Sequence, residues 1–76
     1  MDCSLLLANI ANIYSSCGMF GVAEKYYFDA INERKSKMPK KKEMLDQIYR
    51  KLSLVQEKMN KFGEALDSLG RALEIA

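Results

Sequence analysis

The chain contains no histidine and no tryptophan, a single proline (Pro39), four glycines and two cysteines. The lack of histidine removes the commonest general base and metal ligand available near neutral pH. Zinc needs four ligands of cysteine, histidine or carboxylate type, and Cys3 and Cys17 form no CxxC pair that could supply half of a site. No glycine-rich phosphate loop is present, and no nucleophile stands beside a base. Catalysis, a metal and a cofactor are therefore not expected. No apolar run approaches the roughly 18 residues that a membrane span requires. The start, "MDCSLLLANIANIY", lacks a basic leader and reads as a helix instead of a signal peptide. Scarce glycine and proline also argue against a β-sandwich or a disordered chain.

What is present is helical chemistry in a short chain. Seventy-six residues, 29% of them charged, suffice for one small domain, 1–76. A domain of that size buries only about 60% of its unfolded surface. The cysteines read as two reduced thiols of an intracellular protein, because 14 residues along one helix would separate them by about 21 Å, too far to bridge. The net charge of +2 hides an asymmetry. "RKSKMPKKK", residues 34–42, holds six basic side chains and no acid. The other six bases face ten acids, so the positive charge is local.

An internal repeat organises the chain. Residues 7–31 align with residues 49–73 at a constant offset of 42. Leu7 meets Tyr49, Ile10 meets Leu52, Ile13 meets Val55, Phe20 meets Phe62, Ala23 meets Ala65, Tyr27 meets Leu69, Ala30 meets Ala72 and Ile31 meets Leu73. Each unit divides into two helices. Leu7, Ile10, Ala11 and Tyr14 form one apolar stripe at i, i+3, i+4 and i+7. Asp2 or Ser4 is the expected cap of that helix. Gly18 ends it, and Asn60 holds the same place in unit two, both residues that tolerate a left-handed backbone. The second helix carries Phe20, Ala23, Tyr27, Ala30 and Ile31 inward. The third carries Leu45, Ile48, Tyr49, Leu52 and Val55, with Pro39 suited to its first turn. The expected helices are 3–17, 20–36, 40–59 and 62–75, grouped as a first repeat 3–36, a basic connection 37–42 and a second repeat 43–76. Met19 and Met59 flank the turns as packing filler. Tyr26 and Phe28 lie on either side of Tyr27 and are not demanded by the repeat, whose other copy has Ser68 and Gly70. Packing against the connection and contact with a partner both remain open for them.

These residues carry a resemblance to the tetratricopeptide repeat, read as a large residue, Leu-Gly or Leu-Ala, Tyr, Gly and then A-x3-[FY]-x2-A-[IL]. Unit one supplies Leu7, Ile10-Ala11, Tyr14, Gly18 and Ala23-x3-Tyr27-x2-Ala30-Ile31. Unit two supplies Tyr49, Leu52-Ser53, Asn60 and Ala65-x3-Leu69-x2-Ala72-Leu73. The usual spacing is 34 residues; 42 resembles the kinesin light chain branch, whose first helices are similar to "LANIANIY". The resemblance implies an all-α fold, an α-solenoid of two antiparallel helix-turn-helix repeats with four helices. It also implies a non-catalytic module that binds a peptide or helix of a partner protein, within a cytoplasmic scaffold or adaptor.

By position, the resemblance places Leu5, Ala8, Asn9, Asn12 and Ser16 of unit one and Gln47, Arg50, Lys51 and Leu54 of unit two in a peptide-binding groove. Asn9 falls where the branch has an asparagine that holds peptide backbone, and Lys51 breaks that ladder. Repeats that clamp the carboxylate tail of heat-shock chaperones have a lysine where this chain has Ala8. Because each repeat leaves an apolar face for its neighbour, Leu66, Leu73 and Ile75 are expected to form an assembly surface. Another copy, a partner or further repeats would cover it. The rival reading is a basic nucleic-acid-binding or nuclear-targeting module centred on residues 34–42. Against it stands the lack of interleaved aromatics and of any groove-reading motif.

Overall fold

The computed structural model describes residues 3–37 and 43–75, and the side chains of Lys37, Glu43, Met44 and Ile75 lie outside that description. The chain forms four helices, α1 (Cys3–Ser16), α2 (Phe20–Lys37), α3 (Glu43–Lys58) and α4 (Phe62–Ile75). No strand occurs among the described residues. The observed ends fall within a residue of the expected ones for α1, α2 and α4. The expected start of the third helix, Pro39 included, and the basic residues Lys40, Lys41 and Lys42 lie outside the described residues.

The two inter-helix turns are the same turn made twice. After α1 the chain enters the left-handed region at Gly18, φ 82°, and after α3 it does so at Asn60, φ 64°. The Gly18 N–H donates to the Ser15 carbonyl at 3.0 Å and the Met19 N–H to the Tyr14 carbonyl at 2.9 Å. Asn60 and Lys61 repeat this with Glu57 and Gln56 at 3.0 and 2.8 Å. Both are Schellman closures, in which the last helical carbonyls gain donors that the helix itself cannot supply. A turn so short makes the helices of each pair antiparallel neighbours, and α1 packs along α2 and α3 along α4. The pairs are joined by α2 packing on α3, while α1 and α3 meet only lightly.

The core follows the apolar stripes. Ala8 and Ala11 of α1 and Ala23 and Ala30 of α2 are buried, and residues this small let two helix backbones approach closely. Tyr27 and Ile31 fill the space between α2 and α3, beside Leu45, Ile48, Tyr49, Leu52 and Val55. Leu7, Tyr14, Phe20, Tyr26 and Met59 cover the margins. Ser4 is not a cap. It lies inside α1, buried, and its hydroxyl accepts a hydrogen bond from Arg34 Nη1 at 3.2 Å, which ties the start of α1 to the end of α2. Met19 is exposed, so only Met59 serves as filler. Leu69 and Leu73 differ from their counterparts in the other repeat: Tyr27 and Ile31 are buried, whereas both leucines are exposed, Leu73 on the expected assembly surface. Cys3 and Cys17 are free and exposed.

Two measurements test this core. Leu52 has no solvent exposure and Leu54 is 60% exposed. Leu52→Ala is expected to lower unfolding free energy by about 2–5 kcal/mol and Leu54→Ala by no more than about 0.5 kcal/mol, read from urea denaturation. Burial pushes the Tyr27 phenol above its ordinary value of 10.0. The folded state therefore holds that proton more tightly than the unfolded state. Stability from this source is intact below pH 10 and falls as pH rises through the folded value. Tyr27→Phe removes the titration, and its alkaline unfolding midpoint is expected to lie at higher pH than that of the parent chain.

Candidate binding surfaces

Residues that leave the core define three exposed regions. The first lies on α1 and α3. Leu5, Asn9, Asn12 and Ser16 recur at i, i+4, i+7 and i+11, so they share one face of α1, and all four are exposed. Gln47, Arg50, Lys51 and Leu54 share one face of α3 and are exposed as well. The α1 face offers amides, which both donate and accept, while the α3 face offers two cations and a leucine. Ser16 spends its hydroxyl locally, donating to the Asn12 carbonyl at 3.0 Å. Ala8 does not belong to this face, because it is buried in the core.

The second region is a groove between α2 and α4, floored by α3, with a volume of about 300 Å³. Phe28, Ile31, Asn32 and Lys35 form one wall, Tyr49 and Gln56 the floor, and Glu64, Asp67, Ser68 and Arg71 the other wall. Its charges are mixed. Arg71 Nε donates to Asp67 Oδ2 at 3.3 Å, and that hydrogen bond raises the guanidinium further above its already high value. Lys35 Nζ sits 5.7 Å from the centre of the Tyr49 ring, a cation–π contact. Repeat reasoning missed this groove because it looks for sites on the first helix of each pair. The available signal was Ser68 standing where α2 has Tyr26, a smaller side chain on the wall that α4 contributes.

One end of this groove rests on a buried polar cluster. Gln56 is almost fully enclosed. Its Oε1 accepts from Ser68 Oγ at 2.7 Å, and its Nε2 donates to Glu24 Oε2 at 3.2 Å. Lys61 Nζ lies 3.2 Å from Glu24 Oε1. One glutamine thus joins α2, α3 and α4, and each of its amide atoms has a partner, as a buried amide requires. At the equivalent place in the first pair, Tyr14 and Tyr26 stack with ring centres 5.6 Å apart and planes 4° from parallel. The two hairpins therefore close the same site with different chemistry, and Tyr26 is accounted for by Tyr14.

The third is apolar and has two separate parts, one on the outer side of α4 and one on the outer side of α1. Phe62, Leu66, Leu69 and Leu73 follow one stripe of α4 at i, i+4, i+7 and i+11, all exposed. Phe62, Leu66 and Leu69 line a hollow of about 290 Å³ beside Ser53 and Glu57. Leu66 and Leu73 stand on the expected assembly surface; the side chain of Ile75 lies outside the described residues. Leu6 and Ile13 are exposed on α1.

Among the described residues no group of three or more His, Cys, Asp or Glu could hold a metal ion, and no helix is long and apolar enough to cross a membrane. Compared with known proteins, the chain matches no family model, no curated protein and no solved structure. The polar cluster provides a test of how tightly the three helices are coupled. Gln56→Ala strands the Ser68 hydroxyl and is expected to cost about 1–3 kcal/mol. Adding Ser68→Ala should then cost markedly less than Ser68→Ala alone, a coupling that a double-mutant cycle in urea would read.

Proposed function

We propose that the chain is a non-catalytic interaction module, a short α-solenoid of two tetratricopeptide-like repeats whose first helices present a binding face to a peptide or helix of a partner. The observation that carries this reading is the exposed, uninterrupted face of Leu5, Asn9 and Asn12 on α1 and of Gln47, Arg50, Lys51 and Leu54 on α3. Apolar and amide groups dominate the α1 part and cations the α3 part. A ligand with an apolar anchor and an acidic flank satisfies both. The identical turns at Gly18 and Asn60 support the repeat reading, and the 42-residue spacing favours the kinesin light chain type. A cytoplasmic scaffold or adaptor is the setting such a module suits.

The basic run favours the rival reading less than its composition suggests. Arg34 is buried and donates to Ser4. Lys35 is held over Tyr49. These two cations of the run serve the fold, which leaves a shorter cluster for any nucleic acid or nuclear-import receptor.

The decisive experiment selects peptides from a displayed random library on the immobilised chain and maps the best binder by NMR chemical-shift changes. The largest changes are expected at Asn9, Asn12, Arg50 and Lys51. Asn9→Ala and Arg50→Ala should each weaken binding by about 5- to 30-fold. Failure to select any peptide, or changes confined to the α2–α4 groove, overturns this assignment. Oligonucleotide binding that is lost on replacing Lys40, Lys41 and Lys42 by Gln would establish the rival.

A further inference from the structure

The offset of 42 lets the chain be compared with itself. Where α2 packs on α3, Tyr27 and Ile31 are 1% and 4% exposed, and Ile48 and Val55 are 1% and 2% exposed. Their counterparts in the other repeat are open. Leu69 and Leu73 on α4 are 40% and 64% exposed, and Leu6 and Ile13 on α1 are 58% and 62% exposed. The outer face of α4 thus offers what α2 offers to α3. The outer face of α1 offers what α3 offers to α2. Both halves of one interface are displayed, unused, at opposite ends of the same molecule.

The polar part of that interface changes in step on both sides. Inside the molecule Glu24 of α2 meets Gln56 and Lys61. The counterpart of Glu24 is Leu66, and the counterparts of Gln56 and Lys61 are Tyr14 and Met19. A carboxylate becomes a leucine on one face, and its two polar partners become an aromatic and a thioether on the other. Leu66 and Met19 are both exposed. Substitutions matched across two distant surfaces are what mutual contact requires, since either change alone would leave a buried charge without a partner. Helix α1 also carries no charged residue in its 14 positions, whereas a helix that meets only water is ordinarily charged on its outer side.

We propose that the chain associates head to tail with further copies of itself, the outer face of α4 in one copy docking on the outer face of α1 in the next, in the arrangement that α2 and α3 already adopt. Leu66 of one copy then lies against Tyr14 and Met19 of its neighbour. The contact is heterologous and leaves one open face at each end, so assembly continues with concentration unless a ring closes. The α1 surface involved adjoins the face that carries Asn9 and Asn12, since Leu6 and Ile13 stand three residues before and four after Asn9. The proposal rests on the repeat equivalence, and its test uses the chain without any peptide.

Sedimentation velocity of the 76-residue chain from about 1 μM to about 500 μM tests it. The expected result is a mass that rises past the dimer. Two variants then separate the faces: Ile13→Glu blocks the α1 face and Leu66→Glu the α4 face. Each alone is expected to weaken association by about 30-fold or more and to sediment as a monomer. Mixed, they should form a one-to-one heterodimer and nothing larger, through the one intact face that each contributes. Because both positions are exposed, circular dichroism should show unchanged helix content. A parent chain that stays monomeric throughout overturns the proposal without recourse to any variant. So does persistent self-association of Ile13→Glu, which would mean that α4 pairs with α4, and so does a mixture that remains monomeric.

Discussion

Helix α3 is the element on which the rest depends, because it alone among the described helices meets all three others. It packs along α4 within its own hairpin and along α2 of the preceding one, and it buries Leu45, Ile48, Tyr49, Leu52, Val55 and Gln56 in doing so. A helix buried on one stripe needs about a third of its circumference apolar; one wedged between two neighbours needs more. The sequence of α3 meets that demand with large aliphatic residues on the α2 side and with Gln56 toward α2 and α4. Remove the α2–α3 contact and two hairpins remain, each with too little enclosed surface to offset the entropy of ordering it.

The two hairpins show that a repeat conserves shape more strictly than chemistry. Tyr14 stacked on Tyr26 and Gln56 bonded to Ser68 occupy the same place beside the same turn. The aromatic version relies on area and ring contact, the polar version on complete hydrogen bonding, and each tolerates burial for its own reason. The difference has consequences outside the core. Gln56 is polar because it faces Glu24 of the adjoining helix, and Tyr14 is not obliged to be. Phe28 and its counterpart Gly70 make the same point at the surface, where only α2 carries a ring that lines the groove floored by Tyr49. Distinct surfaces therefore arise from one helical plan through a few substitutions of bulk and polarity.

Much of this architecture is legible in the sequence, and the legible part is local. Period-3.6 apolar stripes, Gly18 and Asn60 at equivalent turns, and alanines at matching helix positions depend on interactions within a few residues of each other. They mark four helices and two hairpins. The candidate face on α1 and α3 is legible for a similar reason: Asn9, Asn12, Arg50 and Lys51 sit opposite or beside the apolar stripe and must leave the core. Ala8 escaped that logic because a methyl group fits either environment. Ser4 did so because its cap role and its buried hydrogen bond to Arg34, thirty residues away, cannot be told apart without the partner in view.

What the sequence by itself determined is thus the helices, their turns and the pairing within each hairpin, all set by backbone geometry and short-range periodicity. Only the tertiary structure decided which members of each equivalent pair are covered. Tyr27 and Leu69, Val55 and Ile13, Ile48 and Leu6 occupy the same steps of the same plan, yet one of each pair is buried and the other exposed. Periodicity specifies the direction in which a side chain points from its own helix. Burial depends on whether another helix stands there, and that is a property of the assembled molecule.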